Sequence, residues 1–103
     1  MAKKPRRLPR NLGQKLRQIR VELALSPVEI VRRLGFEDSL PVGRISDYEQ
    51  GLREPSLLIL LAYSRLAGVH LEEIVDDDIE LPTGLPRRSH GLHRSLTRGR
   101  ASG

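Results

Sequence analysis

Arg44-Ile45-Ser46-Asp47-Tyr48-Glu49-Gln50-Gly51-Leu52-Arg53-Glu54-Pro55-Ser56 is the stretch that decides how this chain folds. A short helical run meets Gly51, a residue suited to the left-handed backbone that closes a helix. A loop ending in Pro55 follows, and Ser56 stands where a hydroxyl caps the next helix. Upstream, Ser26-Pro27-Val28-Glu29 opens a helix of its own. Ser26 can accept from a free backbone N–H, Pro27 needs no N–H at the first helical position, and Glu29 can reach back. Val28, Ile30, Val31 and Leu34 supply its apolar side and Gly35 ends it. Two short helices joined by a turn form the unit with which small proteins set one helix into a DNA groove.

Working outward, Asn11 with Gln14 has the form of a capping box, and Leu12, Leu16, Ile19 and Leu23 follow at spacings of four, three and four. This predicts a first amphipathic helix ending near Ala24. Residues 36–41 read as a loop that bulges out, and a third helix is expected over residues 42–50, with Gly43 weakening its start. Behind Ser56 comes a helix over residues 57–67, apolar nearly all round and so expected to be central. Gly68 closes it. A short fifth helix over residues 71–75 runs into Asp76, Asp77 and Asp78, carboxylates that oppose the helix dipole and should leave it frayed. Ile79-Glu80-Leu81 alternates and can extend along a neighbour.

The chain has 103 residues, enough for one domain with a modest core. Three aromatics, Phe36, Tyr48 and Tyr63, leave the core to Leu, Ile, Val and Ala, which suits an all-α bundle. With no cysteine, disulfides and thiolate metal sites are excluded. No apolar run approaches the ~20 residues of a membrane span, and the N-terminus carries no apolar export segment, so a cytoplasmic, nucleoid-associated protein is expected.

The net charge of +5 is unevenly placed. Residues 1–10 hold Lys3, Lys4, Arg6, Arg7 and Arg10, and residues 83–103 hold five arginines. The middle, 11–82, carries 8 basic and 13 acidic side chains and sums to −5. Three parts are expected: a flexible basic arm over 1–10, a folded domain over 11–82, and a disordered basic tail over 83–103. Basic arms beside a folded module attract phosphates, or serve solubility alone.

Three segments carry a resemblance. They are Leu25-Ser26-x-x-Glu29-Ile30-Val31-x-x-Leu34-Gly35, then Ile45-Ser46-x-Tyr48-Glu49-x-Gly51-x-x-x-Pro55-Ser56, then Leu57-Leu58-x-Leu60-Leu61-x-x-x-Arg65-Leu66-Ala67-Gly68-Val69 with Leu71-Glu72-Glu73-Ile74. Together they resemble the Cro and phage-repressor type of helix-turn-helix, the XRE family, over residues 12–75. The resemblance implies a five-helix repressor-like bundle in which helix 42–50 reads the major groove of double-stranded DNA. It implies phosphate contact at Ser26 and Pro27, and exposed reading positions at Val42, Gly43, Arg44, Ser46 and Asp47, with Arg53 against the backbone. It also implies a structural ion pair between Arg20 and Glu49.

This chain departs from the pattern in two places. The turn between Gly35 and Ile45 is longer than usual by roughly four residues. Pro27 replaces a polar residue, and Val42 and Gly43 offer no side-chain donor to a base. Arg44 can contact guanine or a phosphate, or pair with Asp47; Asp47 can accept from cytosine, or remain solvated or ion-paired.

The leading expectation is a transcriptional regulator, a repressor, binding as a homodimer. Its dimer surface is expected at the end of helix four, helix five or residues 79–81. The alternative is a protein-interaction or antitoxin-like adaptor using residues 36–40 or Asp76, Asp77 and Asp78. No cofactor, metal or catalysis is expected: Glu72, Glu73 and the three aspartates do not follow a cation-loop spacing, and His90 and His93 lie in the tail.

Overall fold

The computed structural model describes residues 9–87. Five helices follow in order: α1 (Leu12–Glu22), α2 (Pro27–Leu34), α3 (Gly43–Glu49), α4 (Leu57–Ala67) and α5 (Leu71–Val75). Among the described residues there is no strand, so the architecture is an all-α bundle. Lys3, Lys4, Arg6 and Arg7 of the arm, together with His90 and His93, lie outside the described residues.

The apolar stripe of α1 builds the floor of the core, with Leu12, Leu16 and Ile19 buried. Ile30, Val31 and Leu34 of α2, Ile45 and Tyr48 of α3, and Ile59, Leu60, Tyr63 and Ala67 of α4 close over it. α1 packs against α3, α4 and α5, while α2 packs against α3 and α4. Helix α4 shares the centre with α1 and is less enclosed than its composition suggests, because Leu57 and Leu58 face outward. Val28 likewise is exposed, two residues before Ile30 and so on the far side of α2.

Local signals place most helix ends. Ser26 Oγ accepts from the Glu29 N–H at 3.1 Å while the Ser26 N–H donates to Glu29 Oε1 at 2.8 Å, a complete capping box. Ser56 Oγ accepts from the Ile59 N–H. Helix α1 stops two residues earlier than its sequence suggests, with Ala24 at φ 58°, an unfavourable backbone for an L-residue. The loop after α2 is pinned: the Leu40 N–H donates to the Phe36 carbonyl, Leu40 is buried, and Phe36 packs on the core. Only Glu37, Asp38 and Ser39 project between those anchors, so the bulge is smaller than expected.

The start of α1 departs from expectation. Asn11 makes no side-chain cap, and its Nδ2 donates instead to the Asp77 carbonyl. The Asp77 carboxylate accepts the Arg10 and Asn11 N–H groups at 2.8 and 2.9 Å, placing a negative charge at the positive end of α1. Those two hydrogen bonds hold the Asp77 carboxyl below its ordinary value. A distant residue therefore performs the task the sequence assigns to Asn11 and Gln14.

The end of α5 is not left to oppose its own dipole. The Lys15 ammonium, 6% exposed, donates to the carbonyls of Glu73, Asp76 and Ile79 at 2.9, 2.7 and 2.6 Å. A cation at a helix C-terminus with all three N–H donors used is favourable even when buried.

Residues 76–87 then run along α1 in the same direction. Asp77 meets Asn11, Ile79 meets Lys15, the Pro82 carbonyl accepts from Gln18, and the Leu85 N–H donates to Glu22. Leu81 and Leu85 are buried beneath this strap. The packed chain thus extends past Pro82, where sequence composition suggests a tail. Arg87 is no free cation: it forms an ion pair with Glu73 at 2.7 Å and donates to the Gly68 carbonyl. A Cβ on Gly68 would strike the Arg87 carbonyl, so glycine there permits the close return of the chain.

Candidate nucleic-acid interface

Helix α3 has an inner side and an outer side set by its own spacing. Ile45 and Tyr48, three apart, are buried, and Tyr48 burial pushes its phenol pKa up. The opposite side carries Val42, Gly43, Arg44, Ser46 and Asp47, all at least partly exposed. Val42 precedes α3 as its cap and Gly43 begins it, so neither adds a hydrogen-bonding side chain to this face. Ser46 Oγ accepts from the Gln50 side-chain amide at 2.6 Å, which ties two of the polar groups on α3 to each other.

Asp47 sits between two cations. Its Oδ2 lies 3.9 Å from Arg44 Nε and 3.4 Å from Arg53 Nε. Arg44 is on the same helical face three residues earlier, whereas Arg53 returns to it from the loop beyond Gly51. The trio is half exposed, so each ion pair is weak and can open.

Two contacts seat α3 on α1. Arg20 forks onto Glu49, with Nε to Oε2 at 2.7 Å and Nη2 to Oε1 at 3.0 Å, and Nη1 donates to the Leu25 carbonyl. Both side chains are largely enclosed, and the hydrogen bonds to Glu49 push the Arg20 pKa up. Beside this pair, Gly13 lies so close to the last turn of α3 that a Cβ would strike the Glu49 carbonyl. The absence of a side chain at Gly13 lets α1 and α3 touch backbone to backbone.

That junction opens into a cleft of about 340 Å³ whose walls include Pro9, Arg10, Gln50, Gly51 and Arg53. Arg10, the last basic residue of the arm, therefore lies across one cleft from Arg53 at the end of α3. Its side chain is exposed and lies 3.7 Å from Asp77.

The start of α2 is less available than its sequence suggests. Its capping box uses the N–H groups of Ser26 and Glu29, and Pro27 has none, so Val28 carries the first-turn donor outside the cap. Glu29, held below its ordinary pKa by the Ser26 N–H, adds a negative charge where a phosphate would approach.

Sequence reasoning missed Lys15, Asp77 and Gly13. Lys15 could have been suspected, since it stands three residues after Leu12 and four before Ile19, on the buried stripe. Nothing local marks Asp77 or Gly13. Among the described residues no His, Cys, Asp and Glu group could hold a metal ion, and no helix is long and apolar enough to cross a membrane.

A family model described as helix-turn-helix matches residues 16–74, more than half of the chain. No curated protein and no solved structure matches it.

Proposed function

The chain belongs to the helix-turn-helix family, of XRE type, and is a DNA-binding regulator; from that premise we propose that it is a repressor with α3 in the major groove. The observation that carries this reading is the outer face of α3, where Arg44 and Asp47 stand opposite the buried Ile45 and Tyr48 with Arg53 at the helix end. Arg44 would contact guanine and Arg53 the backbone. Ser46 would lie within the groove, with Val42 and Gly43 adding close approach rather than hydrogen bonds. At α2, Ser26 and Pro27 would present the helix end, with the Val28 N–H as the phosphate donor.

The arm would add sequence-independent attraction. Arg10 shares a cleft with Arg53, which favours an arm of Lys3, Lys4, Arg6 and Arg7 rooted on the α3 side. Repression would follow from occupancy of a site in cytoplasmic, nucleoid DNA.

We also propose a homodimer. The strap and α5 are packed against α1, which leaves little of the surface suggested by sequence. Leu52, Leu57 and Leu58 are instead 66–67% exposed within seven residues next to the end of α3, an apolar area of a few hundred Å². A second copy covering it would set two α3 helices on one face of DNA. Leu57→Ser with Leu58→Ser should leave a monomer in sedimentation, and an unchanged dimer would place the contact elsewhere.

The direct test is selection from a random duplex pool, which should recover a two-fold symmetric motif. Arg44→Ala with Arg53→Ala should abolish retention of that motif. Unchanged retention would remove the groove assignment and favour the adaptor reading, with Glu37, Asp38 and Asp78 as exposed acidic contacts.

A further inference from the structure

We propose that Asp47 is a specificity-determining residue that lowers affinity for DNA lacking a cytosine amino group opposite it. The inference rests on the DNA-binding reading of α3 and concerns what the carboxylate does there. One oxygen of Asp47 faces both Arg44 and Arg53 within 4 Å, so the two cations that would meet DNA already share an anion.

The consequence depends on the site. On an arbitrary duplex, Arg44 and Arg53 can turn to phosphates only by leaving Asp47 without a counterion beside a polyanion. Part of the attraction is thereby cancelled. On a site that offers guanine to Arg44 and a cytosine N4 amino group to Asp47, each charged group gains a partner. Arg44 and Asp47 are three residues apart on one helical face, so their contacts fall on neighbouring base positions. Discrimination then arises mainly by penalising wrong sites, which suits a face where Val42 and Gly43 carry no base-reading side chain.

Substitutions at this half-exposed position leave the core intact, and each replaces a different property. Asn keeps the shape, loses the charge and prefers adenine; Ala removes the contact. Selection from a random duplex pool with the full chain as wild type, D47N and D47A, alongside salt titrations on one scrambled duplex, tests the proposal. The wild-type motif should contain a cytosine that shifts towards adenine with D47N and loses its preference with D47A. D47A should bind the scrambled duplex more tightly, by about threefold between 50 and 200 mM salt for each phosphate contact released.

A wild-type motif that both variants recover unchanged, or scrambled-duplex binding that D47A leaves the same or weakens, overturns the proposal alone. A wild-type chain that recovers no motif overturns the DNA-reading premise and this proposal together.

Discussion

Lys15 shows how much one side chain can carry. Its ammonium is buried against three carbonyls that the end of α5 and the following turn would otherwise leave unpaired. Lys15→Ala removes a charged donor and exposes that deficit, and should lower unfolding free energy by roughly 3 kcal/mol in urea titrations. Ala24 presents the opposite case. It adopts a left-handed backbone that glycine reaches without strain, so Ala24→Gly should raise stability by roughly 0.5–1 kcal/mol. Neither effect depends on DNA, so both are read by unfolding alone. The position of Lys15 on the buried stripe was legible in the sequence, but its partners lie some 60 residues away and were not.

At the scale of elements, the decisive relation is the seat of α3 on α1. The Arg20–Glu49 fork fixes the last turn of α3 laterally, and Gly13 sets how near α1 can come. Gly13→Ala places a methyl group against backbone that cannot rotate away. It should destabilise the fold by about 1–3 kcal/mol in thermal unfolding, despite the higher helix propensity of alanine. A gain in stability instead would mean that α3 can slide on α1. The helices themselves were largely legible, because capping boxes, glycine stops and apolar periodicity are short-range signals. Their seating was not, since nothing in Gly13-Gln14-Lys15 reveals which backbone lies opposite.

For the whole molecule, the strap over residues 76–87 makes the folded unit longer than the span the family model matches. A chain ending after Val75 would lose the Leu81 and Leu85 burial and two of the three Lys15 acceptors. It should be less stable by roughly 3–6 kcal/mol from the leucines alone, whereas a chain ending after Arg87 should unfold as the full chain does. Differential scanning calorimetry separates the two.

The same strap predicts a pH dependence. Glu22 is held below 4.5 by the Leu85 N–H, and Asp77 is held below 3.8 by Asn11 and Arg10. Burial pushes Glu73 up, but hydrogen bonds from Arg87 and His70 outweigh it and leave it lowered. The unfolded chain therefore binds these protons first. Stability should be level above about pH 5 and fall as pH drops through 4.5 and below, measured as the urea midpoint. Asp77→Asn should flatten part of that fall.

By itself the sequence determined the five helices, their caps and the helix-turn-helix relation between α2 and α3, because these depend on residues within one or two turns of each other. Tertiary structure alone decided that Asp77 rather than Asn11 secures the start of α1, that Lys15 closes α5, and that residues 82–87 pack. It also decided that Asp47 holds Arg53 as well as Arg44. Each of these except the Arg53 contact joins groups far apart in the chain, and even that contact depends on how the loop beyond Gly51 turns back. A local pattern can state what a residue is able to do, and the folded backbone selects which partner it meets.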